Sequence, residues 1–135
     1  VWEMAAFAGF LTGREAAKYM KKRNDGSIFF TGATASMRGR SGFSAFSSAK
    51  FALRAVAQSM ARELGPQGIH VAHFVIDGAI DTAFIKEMFP DTYALKEKDG
   101  ILQPDSIADA YWFVHTQHRS SWTHELDLRP YMEKF

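Results

Sequence analysis

The stretch "GFSAFSSAKFALRAVAQSMAREL", Gly42 to Leu64, decides how the rest of the chain is read. Leu53, Val56, Met60 and Leu64 recur at helical spacing and predict a helix from about Phe46 to Leu64, with Gly65-Pro66 as its stop. The first turns are built from alanine and serine, yet they carry Lys50 four residues after Phe46, so ring and ammonium share one face. A cation on a small-residue face, one turn beyond an aromatic ring, calls for a reason outside helix propensity.

Downstream, "IHVAHFVI" (69–76) is a strand apolar enough to be buried on both faces. Upstream, "SIFFTG" (27–32) is a short apolar strand after the turn "NDG", followed by a Gly- and Ser-rich loop to Ala45. Residues 1 to 22 form a helix with Met4, Phe7, Leu11 and Met20 roughly on one face. Lys21, Lys22 and Arg23 complement the negative end of that helix rather than forming a nucleic-acid patch. Residues 82 to 102 are irregular, with a short helix around "AFIKEMF". Pro104 opens a third helix, "PDSIADAYWFVHTQH", and "HELDLRPY" supplies a last strand. Helices and strands in alternation imply an α/β fold with a parallel sheet covered on its faces.

Composition narrows the function classes. In 135 residues, 47% are hydrophobic and 23% charged, as in an ordinary globular domain. A net charge of +1 argues against nucleic acid as a partner. The absence of cysteine excludes disulfides, thiolate metal sites and cysteine nucleophiles. No apolar run approaches the roughly 18 residues of a membrane span and no signal peptide is visible, so no membrane partner and a cytoplasmic location are expected.

"GSIFFTGATAS", "FSSAKFALRAVAQSMARELGPQGIHV" and "VIDGAIDT", in this order, resemble the short-chain dehydrogenase/reductase family over nearly the whole chain. The resemblance implies a partial doubly wound Rossmann-like sheet, with NAD or NADP bound at the carboxyl ends of its strands. It also gives Lys50 a reason: Lys50 matches the family's lysine, which hydrogen-bonds the nicotinamide ribose and lowers the pKa of a neighbouring tyrosine. The tyrosine position is Phe46, and a benzene ring has no proton to give. The helper serine, thirteen residues earlier, falls on Ala33, and the asparagine of the first helix falls near Met4 or Ala5. Of the acid-base set only Lys50 remains as a catalytic candidate.

The resemblance places Gly78, Ile80 and Thr82, with Lys50, against the nicotinamide carboxamide and ribose. Asp77 stands in place of the usual proline, which implies a less rigid loop with an added charge, and Arg129 and Pro130 stand where the family often has Gly-Gly. The family's Gly-rich pyrophosphate seat belongs to an earlier β-α unit. In "TGATASMRGRSG" the spacing puts Ser36 and Arg38 where later glycines would stand, and both would block a phosphate. Residues 1–135 are therefore expected to be a single partial domain lacking that cofactor-binding half, with tight NAD(P) binding by this chain doubtful.

Rival readings attach to single residues. His70 and His73, three apart on a strand, face opposite sides and cannot share an ion; His115 and His118 could share a helix face but lack a third ligand, so no metal is expected. Ser47 and Ser48 beside Lys50 read as capping or packing residues rather than nucleophiles. Asp77 and Asp81 could replace a lost proton donor, but as loop aspartates they are expected to stay solvated. Phe84, Met88, Phe89 and Pro90 lie where the family places its substrate lid, with core packing as the alternative. Two functions follow from the resemblance: an NAD(P)-dependent oxidoreductase acting on an unidentified small molecule, inactive as this chain alone, or a non-catalytic relative serving self-association or ligand binding. Either way, the retained first helix and Lys50 helix imply a homo-oligomer.

Overall fold

The computed structural model describes all 135 residues, Val1–Phe135. The chain opens with π-type turns (Glu3–Phe7) that run into α1 (Ala8–Arg23), then β1 (Gly26–Ala33), α2 (Ser44–Leu64) and β2 (Ile69–Ile76). Two short helices, α3 (Ala83–Met88) and α4 (Pro90–Tyr93), precede α5 (Pro104–His115) and β3 (Glu125–Leu128). The three strands form one sheet in the order β1-β2-β3, and both pairings are parallel. Gly26 to Ala33 lie opposite Ile69 to Ile76, and His73 to Ile76 lie opposite Glu125 to Leu128. The fold is α/β with a parallel sheet, as the alternation implies, and the sheet is the partial Rossmann-like one that the resemblance implies.

β2 is buried at all eight positions because each face has its own cover. On one side Ile28, Phe30, Ile69 and Val71 pack against Leu53, Ala57 and Leu64 of α2 and Ala17 of α1. On the other, Ala72, Phe74 and Ile76 pack against Val114 of α5, with Phe29 and Tyr111 at the margin. Phe74 is fully buried and its ring stacks on Tyr111 at 3.7 Å between centroids. Burying a side chain of that size stabilises the sheet–helix contact by about 3 kcal/mol.

The first helix buries a different face from the one its large residues suggest. Met4 is 83% exposed and Phe7 is also exposed, whereas Ala6, Gly13 and Ala17 are buried. A methyl group on Gly9 would lie 2.5 Å from Leu53, and one on Gly13 would lie 2.8 Å from the Met60 sulfur. Small residues win this face because they let the backbone of α1 approach α2 closely. α1 then ends on Asn24 in the left-handed conformation, after the basic residues Lys21, Lys22 and Arg23. The last strand is only four residues long, and α5 stops at His115, three residues short of the sequence expectation.

Candidate functional site

In a parallel sheet the loops leaving the carboxyl ends of adjacent strands converge. Here they are the loop from β1 to α2 and the loop from β2 to α3. Between them lies a cleft of about 1040 Å³, lined by Ala33, Phe46, Lys50, Gly78, Ile80 and the side chains of α3 and its neighbours. The structure therefore brings together Lys50, Gly78 and Ile80, along with the positions at which sequence reasoning noted a missing phenol and hydroxyl. Thr82 does not line the cleft: it is exposed, and its hydroxyl caps α3 by accepting from the Ile85 N–H at 3.3 Å.

Lys50 projects from the second turn of α2 to the end of β1, where its Nζ donates to the Thr31 carbonyl at 3.0 Å. The same ammonium sits 5.8 Å from the centre of the Phe46 ring. Burial pushes the Lys50 pKa below the ordinary lysine range, and no carboxylate offsets that loss of solvation. Beside it, Ser47 is buried, lines the cleft and leaves its hydroxyl without a partner, while Ser48 Oγ donates to the Ala45 carbonyl.

Across the cleft, Ile80 bridges to Leu102 in parallel fashion. The bonds belong to its neighbours: Leu102 N–H donates to the Ala79 carbonyl and Asp81 N–H to the Leu102 carbonyl, each at 2.8 Å. In parallel pairing that arrangement turns the N–H and C=O of Ile80 away from Leu102, and both are without a partner in the chain. Gly78 has φ +152°, and a Cβ there would lie 2.9 Å from Pro130 and 3.5 Å from a Glu133 carboxylate oxygen. Only glycine fits that turn beneath the C-terminal tail.

The aspartates overturn two expectations. Asp77 is 1% exposed rather than solvated. Thr34 Oγ1 donates to it at 2.7 Å, Arg38 Nη2 at 3.0 and 3.2 Å, and Arg129 Nε at 3.2 Å. Burial alone would raise the Asp77 pKa, but these three donors and the Arg38 charge hold it below the ordinary carboxylate range. The loop is consequently tethered at three points, contrary to the looser loop expected from the loss of proline. Asp81 is also engaged, through Lys96 Nζ at 2.8 Å. Sequence reasoning took Asp77, Arg38 and Arg129 one at a time. A signal was available: Asp77 and Arg129 both depart from the family pattern, and they turn out to be partners.

The histidines serve packing. His70 stacks on Trp122 at 4.5 Å with 5° between planes, and its Nε2 lies 2.7 Å from the Thr123 carbonyl. His73, on the opposite face as expected, places Nδ1 3.0 Å from Glu125, which is also gripped by Arg54 with two contacts of 2.8 Å. His115, the last residue of α5, bonds Ser27, while His118 lies beyond the helix and caps the turn at Ser120, so the two do not share a helix face. No group of three or more His, Asp or Glu side chains is placed to hold a metal. Phe84, Met88 and Phe89 are exposed, not core, and Phe84 and Phe89 line the cleft. No helix is long and apolar enough to cross a membrane.

Comparison with known proteins bears on the family and the fold. The 3-dehydrosphinganine reductase of Danio rerio is 32% identical over 92 residues, covering 66% of this chain and 28% of that protein. A short-chain dehydrogenase from Rhodopseudomonas palustris is 51% identical, with a TM-score of 0.75 over 96% of this chain and 50% of its own. A 7α-hydroxysteroid dehydrogenase solved with NADH and 7-oxo glycochenodeoxycholic acid, 23% identical, shares the fold at a TM-score of 0.82, covering 96% of this chain and 53% of its own. The chain thus spans about half the length of these solved relatives. Residues 1–92 match the short chain dehydrogenase family, to which this chain belongs.

Proposed function

We propose that the cleft is the nicotinamide end of an NAD- or NADP-binding site in an oxidoreductase, and that this chain by itself is catalytically silent. The observation that carries the reading is the pairing across the cleft of Lys50, fixed to the Thr31 carbonyl, with Ile80, whose N–H and C=O are both free. A carboxamide needs one acceptor and one donor, and Ile80 offers both; a ribose hydroxyl suits the two remaining Lys50 protons. A nicotinamide nucleotide, when bound, would supply hydride chemistry at a carbonyl or alcohol carbon. Gly78 lets the loop that carries Ile80 turn beneath the C-terminal tail, and Thr82 caps α3 at the loop's end. Lys50 is the catalytic candidate, but with Phe46 and Ala33 where a phenol and a hydroxyl would pass and orient a proton, no acid stands at the reacting oxygen.

Titration of the chain with NADH and NADPH, followed by nicotinamide fluorescence, tests this. Weak binding outside the micromolar range, reduced further by Lys50→Met, is expected, with no turnover of a carbonyl panel. No binding at millimolar nucleotide would overturn the nicotinamide reading; micromolar binding would overturn the expectation that this chain seats the cofactor weakly.

A second reading, self-association, is favoured by a separate observation. Met4, Phe7 and Phe10 on the first helix and Phe51 on α2 are exposed, and β1 is an edge strand with an unpaired side. A homo-oligomer through these helices or that edge is the expected state. Sedimentation at micromolar concentration decides it, and a well-folded monomer would refute it.

A further inference from the structure

We propose that the cleft takes an anionic amphiphile, a carboxylate carried on an apolar body, and that Arg38 is the residue that selects the carboxylate. The proposal rests on the cleft being the ligand site, and adds to it the class of molecule bound beside the nicotinamide end.

Arg38 is held by one nitrogen only. Its Nη2 donates to both oxygens of the buried Asp77, while Nε and Nη1 have no partner in the chain. The side chain is 37% exposed and lines the cleft. A guanidinium fixed at one corner to a buried carboxylate loses little rotamer freedom when its remaining donors meet an anion, which is the usual condition for selective carboxylate recognition. Asp77 is itself locked by Thr34 and Arg129, so the anchor does not swing.

The charge around it points the same way. Arg38, Arg40, Lys50 and Lys134 line the cleft against a single carboxylate, Glu133, and setting Asp77 against Arg38 still leaves an excess of two positive charges. The rest of the wall is apolar and aromatic: Phe43 and Phe46 on the α2 side, Phe84 and Phe89 opposite, the latter two edge-to-face at 6.1 Å. Phe46 adds to that wall where a tyrosine would have offered a hydroxyl. A compact polar substrate would leave these rings wet, and a neutral apolar one would leave the two excess positive charges without an anion. A molecule with both parts satisfies the site.

The test uses 6-phenylhexanoate, 6-phenylhexanol and inorganic pyrophosphate, each titrated into the chain by calorimetry. The carboxylate is expected to bind about tenfold tighter than the alcohol, the ratio set by one charge-assisted hydrogen bond. Arg38→Gln should abolish that ratio while leaving the alcohol unchanged. Because Arg38→Gln strips a cation from buried Asp77, the double variant Arg38→Gln/Asp77→Asn serves as the folded control and should show the same loss. Equal binding of carboxylate and alcohol, or a ratio that survives both variants, would overturn the proposal. So would pyrophosphate binding as tightly as the carboxylate, which would make the cationic wall a phosphate subsite. Nucleotide titration reports on the nicotinamide reading independently of all three probes.

Discussion

Two ionisable side chains stand near the carboxyl ends of neighbouring strands and have opposite fortunes. Asp77, after β2, is surrounded by donors: Thr34, Arg38 and Arg129 all reach it. Lys50, against the end of β1, has one carbonyl and the face of a ring. Burial opposes the charged form of both, but only Asp77 is repaid, so its charge is secured while that of Lys50 is weakened. The difference separates a charge that holds loops together from one left available to a ligand.

The largest effect should come from removing the secured charge. Asp77→Ala leaves Arg38 without its carboxylate and Arg129 with only the half-exposed Asp127, and should cost about 3 kcal/mol in urea unfolding. The same contrast has a pH signature. The Asp77 and Glu125 carboxyls are held below their unfolded values, so their stabilisation is present above about pH 4 and is lost as pH falls toward the folded values. Asp77→Asn should flatten that acid limb, and an unchanged limb would remove Asp77 from the account.

Next in size is Gly32→Ala, which tests how tightly the end of β1 is packed. A Cβ there would come within 2.3 Å of His73 Nε2 and 2.7 Å of Ser36 Oγ, so both side chains must move. A loss of about 2 kcal/mol is expected, read as a lower urea midpoint.

Removing the unsecured charge should do little to stability. Lys50→Met should change it by less than about 1 kcal/mol, since the lost hydrogen bond offsets the relief of a buried ammonium. The folded pKa of Lys50 is lowered, so the parent chain gains stability as pH rises from that value toward the unfolded value near ~10.4. The variant should lack this alkaline gain; its persistence would mean that another group is responsible. The smallest effect belongs to Phe46→Tyr, which restores a phenol beside Lys50. No dehydrogenase turnover should appear with NADH or NADPH and carbonyl compounds, because Ala33 still lacks a hydroxyl to orient the carbonyl. Measurable turnover would show that the phenol alone was limiting.

These sites also mark where the sequence could be read. The parallel sheet was legible because β2 is apolar at both periods and the 42–64 stretch keeps helical spacing to its stop. The Lys50–Phe46 face was legible because four residues separate them on one helix. The Asp77 cluster was not, since Arg38 and Arg129 lie 39 and 52 residues away and nothing local couples them. The buried face of α1 was misread for a different reason. Large apolar residues mark a stripe in sequence, but the closest approach was given to Gly9, Gly13 and Ala17, whose merit is the volume they lack.

The central place of β2 has a consequence in time as well as in energy. From His73 to Ile76 the strand is flanked by β1 and β3 and covered on both faces, so the amides there open only when the whole sheet opens. Alternate amides of β1 point to an unpaired edge and need no such event. In deuterated buffer the β1 segment should therefore take up label in two steps, outward amides first and inward amides together with β2. The interval between the steps would clock the unfolding of the sheet from within a single strand.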